Sequence, residues 1–191
     1  MEKIKIGIGG THSTGKTTFI KRLSTALTEK SVDHQIIGDL ASKCPLPILR
    51  DHTVESTLWI ASQGINLEIE AGHKHKVVIA DRPILDCWAY FNAVCKGQYP
   101  ETNPKLQTLK SMILNWLPTY DLLYQTVVNE NIPIEDNKGR DLDIVYRRRV
   151  ADEMTAGSVL FNASPKLLTY ENTDQELQFI LDQIEGAIGK S

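Results

Sequence analysis

Gly10-Thr11-His12-Ser13-Thr14-Gly15-Lys16-Thr17 is a complete glycine-bracketed phosphate-binding loop. Gly10 and Gly15 allow the backbone to wrap a polyphosphate closely, and the amides of the residues between them, including Ser13 and Thr14, then converge on its oxygens. Lys16 is placed to set an ammonium against the β- and γ-phosphates and Thr17 to offer a hydroxyl to magnesium. Thr18 starts a helix whose unpaired amides face the anion. The loop predicts a nucleoside triphosphate ligand, with ATP and Mg2+ as the expected pair.

A second group of chemistry-bearing residues is Asp81-Arg82-Pro83-Ile84-Leu85-Asp86 with Tyr90. A carboxylate ending an apolar strand can approach the magnesium waters, and an arginine beside it projects towards phosphate. Asp86 reads either as an acceptor-binding carboxylate or as the cap of the next helix. Asp39 ends another apolar run and is the leading candidate for orienting or taking the acceptor proton. Its other reading is a turn-forming residue after a strand. Arg140 and Arg147 are the pair expected to compensate charge on a transferring phosphoryl group, with Arg148 and Arg149 completing a basic cluster. Gln63 reads either as an amide that contacts an acceptor edge or as an ordinary exposed helix residue, whereas Trp59, Trp88, Tyr90 and Phe91 fit core packing better than base stacking. His73 and His75 lack further ligands at metal spacing.

Elements must deliver these residues to one place. Ile4, Ile6 and Ile8 alternate with Lys3, Lys5 and Gly7 as a strand before the loop, and Phe19, Ile20, Leu23, Ala26 and Leu27 follow at helical spacing. Further strands are expected at Gln35–Gly38, Val77–Ala80, Leu122–Val128 and Lys166–Tyr170. Helices are expected over about 53–71, stopping at Gly72, and over 85–95 and 105–117. A final helix should open on a Thr173–Glu176 capping box. Strands alternating with helices imply an α/β fold, a mainly parallel sheet covered on both faces with ligands at the carboxyl ends of its strands. Asp39, Asp81 and the phosphate loop then share one edge.

The chain has 191 residues, a formal net charge of -3 and three cysteines, Cys44, Cys87 and Cys95. Its length suits a single domain spanning 1–191. Its acidic balance gives no general attraction to nucleic acid or anionic lipid, so polymer binding would need a local basic patch. The cysteines have neither metal nor redox spacing and fit a reducing, cytoplasmic setting. No membrane-length apolar run or signal-peptide pattern is present.

These motifs together resemble P-loop nucleoside and nucleotide kinases, thymidylate kinase and related small kinase-like ATPases in particular. The resemblance rests on the phosphate loop, the Asp81-Arg82 motif after a buried third strand, the helix carrying Gln63, Tyr120-Asp121-Leu122-Leu123-Tyr124, and Gly139-Arg140 with Arg147 and Arg149. It implies a three-layer sandwich with a five-stranded sheet in the order 2-3-1-4-5 and a short lid at about 133–150. Lys16 and Thr17 would hold ATP and magnesium, Asp81 would assist the metal, and Arg82 would clamp acceptor or phosphate. Substrate contacts are expected from Asp39, Gln63, Arg82, Asp86 and Tyr90, and the resemblance leaves room for a homodimer. Pro83 replaces the aromatic or small polar residue common there, and Leu40 replaces a proline common in thymidylate kinases, so the acceptor stays open.

The activity expected is transfer of the γ-phosphoryl group of ATP to a small nucleoside or nucleotide. A hydroxyl on a polynucleotide or modified DNA base is an alternative acceptor, disfavoured by the charge balance. A nucleotide-dependent switch is the alternative from another class. Arg140 stands where a guanine-nucleotide switch has aspartate after its Asn-Lys pair, which argues against that one.

Overall fold

In a computed structural model, residues 3–38, 40–129 and 143–189 are described. Strand β1 (Ile4–Gly9) runs into the phosphate loop and helix α1 (Lys16–Glu29). Then follow β2 (His34–Ile37), the short helix α2 (Leu40–Lys43), α3 (Val54–Lys74) and β3 (Val77–Asp81). Helices α4 (Ile84–Cys95) and α5 (Pro104–Trp116), strand β4 (Leu122–Thr126), α6 (Ile144–Leu160), β5 (Lys166–Leu168) and α7 (Thr173–Ile188) complete the described order. The strands form one sheet in the order β2-β3-β1-β4-β5. Every pairing is parallel, with Ile8 opposite both Asp81 and Tyr124. This is the expected α/β arrangement, and its register sets the ends of β1, β3 and β4 at one level.

Period-two alternation sorts the strand side chains into two layers. Ile4, Ile6 and Ile8 face α1 and α7, packing with Leu23, Leu27, Ile180 and Ile184. On the other face, Ala80 joins a core built from α3 to α6 that includes Leu85, Trp88, Leu109, Ile113 and Met154. Trp88 and Phe91 are buried there, as their helical spacing suggested, whereas Trp59 is half-buried and outside the core.

Several helix ends follow from local chemistry. Thr53 and Ser56 make a reciprocal capping box on α3. Asn103 accepts from two first-turn amides of α5 just before Pro104, and Asp143 does the same for α6. Other boundaries differ from expectation. Helix α3 passes through Gly72 to Lys74. The proposed Thr173–Glu176 capping box does not form: Asn172 occupies the cap position without a side-chain bond. Thr173 Oγ1 instead donates to the Tyr170 carbonyl at 3.1 Å, and Glu176 accepts from the Tyr124 hydroxyl at 2.9 Å. Burial decides this, because a tyrosine fixed on a central strand needs an acceptor and the exposed helix amides have water.

Glu68 is a buried anion. Although it sits on an amphipathic helix, it accepts from Trp116 Nε1 and Tyr120 Oη at 2.7 Å each, and from Lys5 Nζ at 3.1 Å. Lys5 in turn lies 4.1 Å from the Trp116 ring centroid. Paired and enclosed, the charges tolerate burial at the amino-terminal end of β1, remote from the phosphate loop. No helix among the described residues is long and apolar enough to cross a membrane.

Candidate active site

The phosphate loop turns because its backbone enters the positive-φ region three times, at Gly10 (132°), Ser13 (55°) and Gly15 (82°). Gly10 is required by space as well as by φ, since a Cβ there would come within 2.0 Å of Thr126 Oγ1. That threonine hydroxyl donates to the Gly9 carbonyl at 3.0 Å and lies 2.7 Å from Thr14 Oγ1. Thr14 also bonds the Thr11 carbonyl at 3.0 Å, so two hydroxyls brace the bend from within. Gly15 caps α1 without a side-chain bond, which leaves the first-turn amides directed at the space above the loop. Thr17 is half-buried in that turn and Thr18 is exposed.

Strand β3 delivers the opposite wall. Lys16 Nζ lies 3.3 Å from Asp81 Oδ1, a charge contact in which the buried carboxylate oxygen accepts no aligned hydrogen bond. Burial and the nearby Arg82 push the Lys16 ammonium below its ordinary pKa, against the pull of Asp81 and Asp86. Arg82 holds a left-handed φ of 75°, strained for a residue with a side chain. Its Nη1 donates to the Tyr90 hydroxyl at 2.7 Å and to the Gly10 carbonyl at 3.3 Å, and the guanidinium lies 4.8 Å from the Tyr90 ring centroid. Burial works against this charge, but Tyr90, Asp86 and Asp81 outweigh it and raise the pKa.

Asp86 does not cap α4, whose cap position is Pro83 without a side-chain bond. Its carboxylate is 2 % exposed and accepts from the Gly10 amide, with Oδ2 at 3.2 Å. Arg82 Nη1 lies 3.6 Å away. Burial pushes the Asp86 carboxyl up to about 7, although Arg82, Lys16 and the Gly10 amide oppose the shift.

The expected lid segment is helical from Ile144, and its first turn docks on the loop. Arg147 is buried, and its Nη2 donates to the Ser13 carbonyl at 2.8 Å. Tyr146 stacks on His12 with centroids 6.4 Å apart and meets Tyr90 edge-on at the same separation. Arg50 pairs with Asp143 at 2.9 Å, fastening the helix start from the far side. Arg149 turns away to the Ala93 carbonyl at 3.2 Å.

Lys16, Asp81, Arg82, Asp86, Tyr90 and Arg147 therefore meet around the loop. Gln63 is half-buried on α3 and makes no hydrogen bond with them. Asp39 and Arg140 lie outside the described residues, as does the remainder of the expected lid from 133 to 142. Gly38 is packed against the site, since a Cβ there would approach Asp81 Cβ to 3.1 Å. Sequence reasoning missed Thr126, Tyr146 and Arg50. A hydroxyl in phase with the apolar Leu122 and Tyr124 at the end of a strand was the available signal for Thr126. The other two carried none.

Solved structures share this architecture. Thymidylate kinase from Candida albicans superposes with a TM-score of 0.64 and 18% identity, over 97% of this chain and 92% of that one. Deoxyadenosine kinase from M. mycoides, in a structure with bound dATP, gives 0.66 and 14%, covering 95% of this chain and 100% of that one. The same enzyme with products gives 0.65 and 14%, over 96% and 100%. At these identities the likeness is one of fold: the three-layer P-loop kinase sandwich. No curated protein matches the sequence. A family model described as an AAA domain matches residues 5–157. With four fifths of its length covered by that match and its sheet ordered as in the P-loop kinases, this chain belongs to the AAA domain family.

Proposed function

We propose that this protein is a magnesium-dependent kinase that transfers the γ-phosphoryl group of ATP to a small nucleoside or nucleotide. The observation that carries the reading is the meeting of three cationic side chains, Lys16, Arg82 and Arg147, around one phosphate loop. Phosphoryl transfer asks for positioning and charge neutralisation more than for covalent chemistry. In this reading the loop amides and Lys16 grip the β- and γ-phosphates, Lys16 exchanging Asp81 for a phosphate oxygen. Arg147 meets charge on the transferring group, and Arg82 with Tyr90 orients the acceptor.

The residues present suit magnesium. Asp81 Oδ1 is a buried oxygen without an aligned hydrogen bond, and the Thr17 hydroxyl makes none among the described residues. Hard oxygen donors of this kind bind magnesium through one or two protein groups and retained waters. Bound there, the ion would neutralise charge on the β- and γ-oxygens. The acceptor oxygen forms a bond to the γ-phosphorus as the bond to the bridging oxygen breaks and ADP leaves. Asp39 is proposed to receive the proton of a hydroxyl acceptor.

The test is transfer of radiolabel from γ-labelled ATP, with and without magnesium, to deoxynucleosides, deoxynucleoside monophosphates and oligonucleotides. Magnesium-dependent labelling of a small acceptor is expected. Labelling confined to oligonucleotides, falling steeply with salt, would replace the acceptor class. Hydrolysis indifferent to every acceptor would favour the switch.

A further inference from the structure

We infer that Asp86 is a positioning residue that locks the acceptor-side arginine to the phosphate loop, acting through Arg82 and the Gly10 amide. The inference rests on the kinase reading and deepens it by assigning a residue that would not itself touch substrate.

Three observations converge. Both carboxylate oxygens face the Gly10 amide, at 3.4 and 3.2 Å, where β1 passes into the loop. Arg82 Nη1, 3.6 Å from Oδ2, also donates to the Gly10 carbonyl, so the two side chains clasp the same residue from its two polar ends. Gly9 makes room for the clasp, because a Cβ there would lie 2.4 Å from Asp86 Oδ1.

Arg82 needs such a clasp. Its left-handed backbone is unfavourable and persists only when the surroundings over-determine it. Tyr90 supplies one restraint and the Gly10 carbonyl a second, but both are neutral. Asp86 supplies the nearer charged restraint on the side chain, with Asp81 adding a weaker one. An ionised carboxylate is costly at this depth, and burial raises its pKa, so its retention serves the arrangement of the loop and Arg82 at the expense of stability. A neutral asparagine would fill the same volume and could still accept from the Gly10 amide, but would not hold the guanidinium by charge.

The decisive experiment is a cycle of Asp86→Asn, Arg82→Ala and the double variant, read by label transfer, magnesium-ATP calorimetry and thermal unfolding at pH 8. Asp86→Asn should lower kcat by about a hundredfold, the scale of a small misplacement of a reacting group. ATP affinity should stay within a few-fold, and the unfolding temperature should not fall. In the Arg82→Ala background, Asp86→Asn should have almost no further effect on kcat. Independent, multiplying losses would overturn the inference, as would losses of ATP affinity and unfolding temperature in step with kcat. Asp86→Ser provides the same comparison if the asparagine variant does not fold. Should the wild-type protein label no acceptor, the kinase reading fails and side-chain NMR of 15N-arginine protein decides the positioning role. The Arg82 guanidinium signals should be narrow in the wild type and averaged in Asp86→Asn. Signals unmoved by the substitution would overturn it.

Discussion

Arg147 Nη2 donates to the Ser13 carbonyl at 2.8 Å, so one guanidinium joins helix α6 to the phosphate loop across 134 positions of sequence. Ser13 lies in the positive-φ part of the bend, where its carbonyl faces the helix and leaves the amide side to a ligand. The arginine is thereby held against the loop, the preorganised placement that its proposed charge-compensating role would need.

Replacement of Arg147 by lysine should reduce label transfer by about a thousandfold, at the low end of what a well-placed arginine contributes to phosphoryl transfer. The ammonium keeps a charge but not the planar fork that spans a carbonyl and a phosphate together. Steady-state kinetics with magnesium-ATP check this. Transfer reduced less than tenfold would remove Arg147 from the charge-compensating role.

Lys16→Met keeps the apolar stem but removes the ammonium, and should weaken ATP binding by about ten- to a hundredfold, the value of a charge-assisted hydrogen bond. The unfolding temperature should change little, because the buried Lys16 ammonium is already disfavoured where it sits. Calorimetry and thermal unfolding of the same samples separate lost grip from lost fold.

Two glycine substitutions should move stability in opposite directions. Gly10→Ala would force a Cβ to within 2.0 Å of Thr126 Oγ1 at a φ of 132°, and should cost about 2–4 kcal/mol. Gly186→Ala lies within α7 with nothing near its added methyl, and should gain about 0.5–1 kcal/mol through helix propensity. Urea unfolding measures both.

His52 should give the protein an acid-side stability slope. It is buried against the Thr57 hydroxyl at 2.7 Å, and burial pushes its imidazole down to about 4. Between its unfolded value near 6.5 and this folded value, the unfolded chain takes a proton that the folded chain refuses. Stability is therefore full above that window and declines as the pH falls through it, by about 2 kcal/mol between pH 7 and pH 5. Urea midpoints at the two pH values measure the slope, and His52→Gln should flatten it.

The phosphate loop was legible because its geometry is local: glycines at fixed spacing, a strand before them and a helix after. The order of the sheet was legible through resemblance, and its parallel pairing through the alternation of elements. Asp86 was harder. A carboxylate in the first turn of a helix reads as a cap or as an acceptor-binding group, and its burial against Gly9 and Gly10 at the end of β1 is a tertiary contact that no local pattern announces. Glu68 was invisible for the same reason, since its partners Lys5, Trp116 and Tyr120 come from β1 and from the end of α5 with the turn after it. Arg147 was identifiable as a residue type, but its carbonyl partner was not, because nothing in a linear pattern pairs positions so far apart. The Thr173–Glu176 box failed because Tyr124, buried on a neighbouring strand, claimed the glutamate.

The sheet separates two bodies of apolar packing, one beneath α1 and α7, the other among α3 to α6. Lys16 belongs to an element of the first, whereas Arg82, Asp86, Tyr90 and Arg147 are carried by or adjoin elements of the second. Under the kinase reading proposed above, evolution could therefore retailor the half that would receive the acceptor while the half that would grip the donor keeps its own foundations.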